Sequence, residues 1–307
     1  MKYFLQLFIL LFSFSPLIAQ RNNLTLAYHF KIGQEFRLLQ ETKQNIVQEI
    51  SGEKQYINTT LGGSFHFKIL ALLENGAKIQ TMYENITMLS ESAMGKIEMD
   101  SDAPDSSQNI FSKLIKSICK LPFYIEMNRQ GEIIKVEGIE LLIDSMMSRV
   151  DTLPEFKKSI LREQLTKQLG PESFKGSLEM ALVQYSSKPL KKNDTWQSIV
   201  KIRNGFKSNI YHNWQLVDIQ GNIANLTSNA EMKSIDPNEV SQVNGYDIKA
   251  NLNGKQTTQS EIDLTTGWPV KTNIVSEMKG VVRMLQFEMD IPSDFKTTST
   301  FKLVKIK

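Results

Sequence analysis

Three histidines, one cysteine and one short run of carboxylates are the residues that could carry chemistry in this 307-residue chain. Their spacing argues against most of it. His29, His66 and His212 lie far apart, with no H-x-H or H-E-x-x-H pairing to bring two imidazoles onto one metal. They read as structural or surface residues. Cys119, between Ile118 and Leu121, has no nearby base to hold it as a thiolate and reads as a small buried apolar residue. The stretch "DSDAPDSS", Asp100 to Ser107, gathers three carboxylates. It lacks the spacing, turn glycine and closing glutamate of an EF-hand loop, and Pro104 with its serines fits a solvated linker. No G-x-S-x-G elbow, P-loop or G-x-G-x-x-G occurs. The expectation is therefore no catalytic residue, no metal, no cofactor and no enzyme.

One surface suited to binding remains. Ile139, Leu142, Ile143, Met146, Met147 and Val150 recur at i, i+3, i+4, i+7, i+8 and i+11, which places them on one face of a helix. Thioether chains fit varied shapes, so Ile139, Leu142, Ile143, Met146 and Met147 are candidate residues for holding an apolar ligand. Ordinary core packing is the competing reading of the same stripe.

That helix needs elements to position it. Phe123, Ile125 and Met127 alternate into an Arg129-Gln130-Gly131 turn, Ile134 and Val136 return, and Gly138 permits the exit into the helix. Two further stripes, Ile110-Leu114-Ile115-Ile118 and Phe174-Leu178-Ala181-Leu182-Tyr185, predict helices on either side of it, with Pro154, Gly170 and Pro171 marking ends. Around this middle the chain reads as strands. Phe65, Phe67 and Ile69 alternate with Ser64, His66 and Lys68; Leu285, Phe287 and Met289 alternate with Gln286 and Glu288. Four Asn-Gly pairs, at 75–76, 204–205, 244–245 and 253–254, predict hairpin turns.

The two β-rich regions resemble each other. "FKIGQEF" from Phe30 and "LKKNDTW" from Leu190 share apolar, Lys, turn residue and aromatic in the same places, with Gly33 matched by Asn193. The first copy needs a longer hairpin, near Ser51-Gly52. The fold predicted is α+β: long antiparallel twisted sheets, an unclosed barrel of two related β half-units, with a central helical segment packed on the concave face.

"MKYFLQLFILLFSFSPLIAQ" has a lysine, a short apolar run and a small-residue end, the pattern of a secretory signal peptide cut between Ala19 and Gln20. The organisation predicted is leader 1–19, first half-unit 20–107, central hairpin and helices 108–185 and second half-unit 186–307, with 20–307 as one domain. No later stretch is apolar enough to span a membrane, and one cysteine allows no intramolecular disulfide. The formal charge of +3 gives no electrostatic reason to expect nucleic acid as a partner.

Four segments, "FKIGQEF", "NRQGEIIKVEG", "KPLKKNDTW" and "EIDLTTGWPVKTNI", resemble an uncharacterised family of exported proteins from Bacteroidota, in which Asn193 would stand at the family's turn glycine. The architecture is similar to that of periplasmic lipoprotein carriers of LolA type, and the resemblance implies space for an acyl chain between helices and sheet. Two functions follow as expectations. The first is binding of an apolar ligand, lipid or lipidated peptide by an exported periplasmic or secreted protein. The alternative is a structural or protein-interaction module of the cell envelope.

Overall fold

The structure, a computed structural model, describes residues 23–104, 109–203, 205–243 and 245–306. The expected leader and its Ala19-Gln20 junction lie outside the described residues. Period-two sequences build three long strands first: β1 (Glu35–Ile50), β2 (Glu53–Leu73) and β3 (Gly76–Ser92). Ile50 pairs with Glu53, so Ser51 and Gly52 form a two-residue loop. Both have positive φ, 54° and 82°, as a primed hairpin turn requires.

β4 (Gly95–Asp100) pairs with the far half of β3, and β5 (Phe123–Asn128) with its near half, followed by β6 (Ile133–Glu137). The helices are α1 (Ile110–Ile118), α2 (Ile139–Met147), α3 (Glu155–Leu169) and α4 (Pro171–Ala181). The second region supplies β7 (Thr195–Ile202), β8 (Ser208–Gln220), β9 (Ile223–Ser234), β10 (Ser241–Val243), β11 (Tyr246–Asp263), β12 (Pro269–Met284) and β13 (Met289–Lys305).

The thirteen strands of the described residues form one antiparallel sheet in the order β6-β5-β3-β2-β1-β13-β12-β11-β9-β8-β7, with β4 on β3 and β10 on β11. The terminal strands β6 and β7 do not pair. Instead α4 packs against both. A sheet whose two ends touch one helix must curl most of the way round, so this is an unclosed barrel with a helix in its seam. The main core lies inside it, joining Phe36, Leu38, Phe65, Phe67 and Trp268 to the apolar faces of α2 and α4.

The two turn motifs are equivalent in backbone detail. Gly33 and Asn193 have φ of 80° and 72°. Gly33 N–H donates to Ile69 O and Ile69 N–H to Gln34 O; Asn193 N–H donates to Leu216 O and Leu216 N–H to Asp194 O. Each partner strand then carries a bulge, between Ile69 and Ala71 and between Leu216 and Asp218. The aromatics that close the motifs, Phe36 and Trp196, are both buried. The "NRQGE" and "LTTGW" turns also answer one another, since Tyr28 N–H donates to Arg129 O and His29 N–H to Thr266 O. They meet at an aromatic cluster in which Tyr28 lies 5.0 Å from Trp268 and 5.1 Å from Tyr185.

Several local expectations are corrected. Asn253-Gly254 is no turn but the middle of β11, where Gly254 lets the backbone of β12 approach; a β-carbon there would collide with Glu277 O. At Asn75-Gly76 the loop is Glu74-Asn75, because Gly76 already pairs with Leu73 and Asn128. Leu285–Phe287 is a 3₁₀ turn joining β12 to β13 and leaves Phe287 exposed. Ser64 and His66 are buried as well as their apolar neighbours, because Ser64 donates to Asn85 Oδ1 and His66 Nε2 lies 3.0 Å from Glu35 Oε2.

Candidate functional site

The seam helix begins where its sequence dictates, with Gly170 at the N-cap and Pro171 at the first position, whose missing N–H costs nothing. Three sides of α4 do three jobs. Gly176 lies against the β7 backbone, and a β-carbon there would collide with Lys201 O. Glu179 Oε1 accepts a 3.0 Å hydrogen bond from Ile133 N–H, a donor on the unpaired edge of β6. Burial pushes the Glu179 carboxyl up to about 7, against the opposing pull of that N–H and of Lys175. Phe174, Leu178 and Ala181 face inward and are buried.

Beneath that inward face lies a cavity of about 220 Å³. Its apolar wall includes Leu38, Leu61, Phe65, Tyr83, Phe174 and Leu178. Gly62 and Gly63 leave the floor without side chains, and Phe65 and Tyr83 sit with ring centroids 4.4 Å apart. Gln40, Asn85 and Ser177 supply the polar atoms. Gln40 Nε2 is 3.3 Å from Thr42 Oγ1, which donates to Ser299 Oγ at 2.9 Å. A dry cavity of about 150 Å³ is known to take benzene, so this one has room for the end of a chain. It falls short of the roughly 300–1,000 Å³ of clefts that hold drug-sized ligands. A second cleft, of about 1,210 Å³, runs past Gln130, Gln184, Tyr211, Asn213, Asn229 and Lys255. Its lining mixes these amides and hydroxyls with charged Glu231 and Lys233 and apolar Ile199 and Ala230.

The candidate residues of α2 lie elsewhere. Ile139, Leu142, Ile143, Met146 and Met147 are all buried in the main core, but the lining of the α4 cavity includes none of them. α2 packs closest to α1 and α3, with Ser145 Oγ donating to Ser117 O at 2.7 Å. The helix that lies against strands and cavity together is α4. Its stripe was visible in the sequence; its place in the seam depends on how far the sheet curls, which no local pattern encodes.

His29 is exposed. His212 is buried, stacks on Trp214 at 5.1 Å and bonds Ser228 Oγ through Nδ1 at 3.0 Å. Burial lowers its pKa to about 4, so it is neutral at pH 7. Cys119 is half-buried rather than fully buried, because it caps the end of α1; its Sγ donates to Ile115 O, and burial raises the thiol pKa. In the acidic run, Asp100 ends β4 and its Oδ1 accepts from Asp102 N–H, while residues 105–108 lie outside the described residues.

Residues 74–269 match a family of unknown function, DUF6263. The chain belongs to this family. No curated protein matches it in sequence. Among solved structures it is similar to a lipovitellin structure concerned with lipid–protein interactions, at 12% identity and a TM-score of 0.49 over 91% of this chain. The chain spans only 26% of that lipovitellin chain. An outer membrane channel from Pseudomonas putida F1 matches at 7% identity and a TM-score of 0.27, covering 90% of this chain and 97% of the channel. No helix of the described residues is long and apolar enough to cross a membrane.

Proposed function

We propose that this DUF6263 protein is an exported, non-catalytic binding module of the cell envelope that holds the end of an apolar chain under α4. The observation that carries this reading is the α4 cavity, an apolar-walled space in a chain without a disulfide, floored by strands β1, β2, β3 and β13 and covered by the helix α4. A helix in a seam can shift without breaking a strand ladder, which gives a chain a way in. Docking of a partner on the sheet edges has less support, because Glu179 occupies a donor of β6 and Gly176 brings α4 onto β7.

Ala181 lines the cavity and is buried, so Ala181→Leu should fill part of it. The test is organic extraction and mass spectrometry of wild type and Ala181→Leu, purified from the native compartment at equal yield. The reading expects an acyl-bearing species in wild type and its loss from the variant. Wild-type protein that yields none, or a variant that retains as much, would overturn it.

A further inference from the structure

The inward face of the sheet carries a second feature, visible only once the register is known. Across the strands a row runs from Ser198 on β7 through His212, Gln256, Thr297 and Gln44 to Ser90 on β3, polar on every strand but β9, where it holds Ala230. The next row is mixed: Ser228, Thr258, Ser299 and Thr42 share it with Trp214, Ile274 and Leu61. Neither row, nor the row on either side of the pair, contains an Asp, Glu, Lys or Arg on these strands. The alternate positions that point outward hold Glu41, Lys43, Glu231, Lys255, Glu277 and Lys296. Apolar clusters flank the belt, with Phe36, Leu216 and Leu226 on one side and Val200, Ile210 and Met232 on the other.

A purely structural interior would be apolar here, since each buried hydroxyl or amide must be hydrogen-bonded to avoid a desolvation cost. These groups are largely paired with one another, as in Thr59–Ser90 at 3.0 Å and Thr42–Ser299 at 2.9 Å. Gln256, only 3% exposed, keeps an Oε1 without a partner. The belt reaches the α4 cavity through Gln40, which lines the cavity and whose amide nitrogen contacts Thr42. Its amide oxygen is left to accept from a ligand.

We propose that the occupant of the cavity is a single-chain amphiphile with an uncharged, hydroxyl-bearing head group, its chain under α4 and its head on Gln40, Thr42 and Ser299. This rests on the reading of the cavity as an apolar-chain site and adds the chemistry of the head. Hydroxyls can both donate and accept, as the Ser/Thr/Gln belt demands. A carboxylate or phosphate head would be buried among groups none of which carries a compensating charge.

The test uses three eight-carbon probes with one chain and different heads: monooctanoylglycerol, octanoate and octyl phosphate, titrated into the full mature protein by calorimetry at pH 7. Wild type should bind the glycerol ester at least about tenfold more tightly than either anion. Thr42→Val, which keeps the shape and removes a hydroxyl of the relay, should weaken the ester and leave octanoate unchanged. Gln40→Lys should reverse the preference towards octanoate. Equal affinity for all three probes, tighter binding of an anion by wild type, or an unaltered preference in a folded Gln40→Lys protein would overturn the head-group assignment while leaving chain binding intact. Binding of none of the three would overturn both.

Discussion

Glu179 and His212 are buried with opposite consequences for acid stability. Burial raises the Glu179 pKa from 4.5 to about 7. Its contribution to folding is therefore complete below about pH 4.5 and lost as pH rises through 7. Burial lowers His212 from 6.5 to about 4, so its contribution is present above pH 6.5 and lost as pH falls through 4. Each shift corresponds to roughly 3 kcal/mol, and in the wild type the two slopes largely offset. Chemical denaturation between pH 4 and 8 should separate them. Glu179→Gln, which still accepts from Ile133 N–H, should lose stability on acidification, whereas His212→Gln should gain it. Flat profiles for both variants would mean that neither group titrates where its burial places it. At α2 the expected outcome is that of core. Ile143→Asp should cost several kcal/mol by burying an unpaired carboxylate, Met146→Ala about 2–5 kcal/mol, and exposed Ser148→Asp under about 1 kcal/mol. Thermal melts showing equal tolerance at 143 and 148 would contradict the face assigned to this helix.

Individual elements were legible in the sequence wherever their cause is local. The 3.6-residue stripe of Ile139 to Val150 gives a helix whose stripe residues are all buried, and the Gly33/Asn193 motifs share one hydrogen-bond pattern. Asn193 is held at φ 72°, so Asn193→Gly should be close to neutral, while Asn193→Val should cost about 1–2 kcal/mol in urea denaturation. Equal costs would remove the left-handed turn from the account. Elements misread from sequence are those whose state depends on a distant neighbour. Asn253-Gly254 has the composition of a turn and becomes strand because β12 needs a gap beside it. The candidate site divides in the same way. Amphipathic α4 was legible, but Gly176 and Glu179 gain meaning only from the two strand edges they meet. Gly176→Leu should push α4 from β7 and raise the hydrogen-exchange rates of amides near Ile202 and Ile133. Unchanged protection at both would show that α4 does not hold the seam.

At the scale of the whole molecule, one sheet of thirteen strands curls until a single helix reaches both its ends. Charge is thereby sorted: it lies on the outside of the strands, while the inward rows carry apolar residues around an uncharged polar belt. Neither the curl nor the sorting is visible from composition, since the +3 net charge reports nothing about which face holds the charges. The central claim is that the space beneath α4 receives an apolar chain, and a crystal grown with a monoacylglycerol brominated at its chain terminus tests it most directly. The account predicts an anomalous bromine peak between Phe65, Phe174 and Leu178, with the glycerol head near Gln40. A bromine peak only on the outer surface, or an α4 cavity filled by its own side chains with no bromine in it, would contradict it.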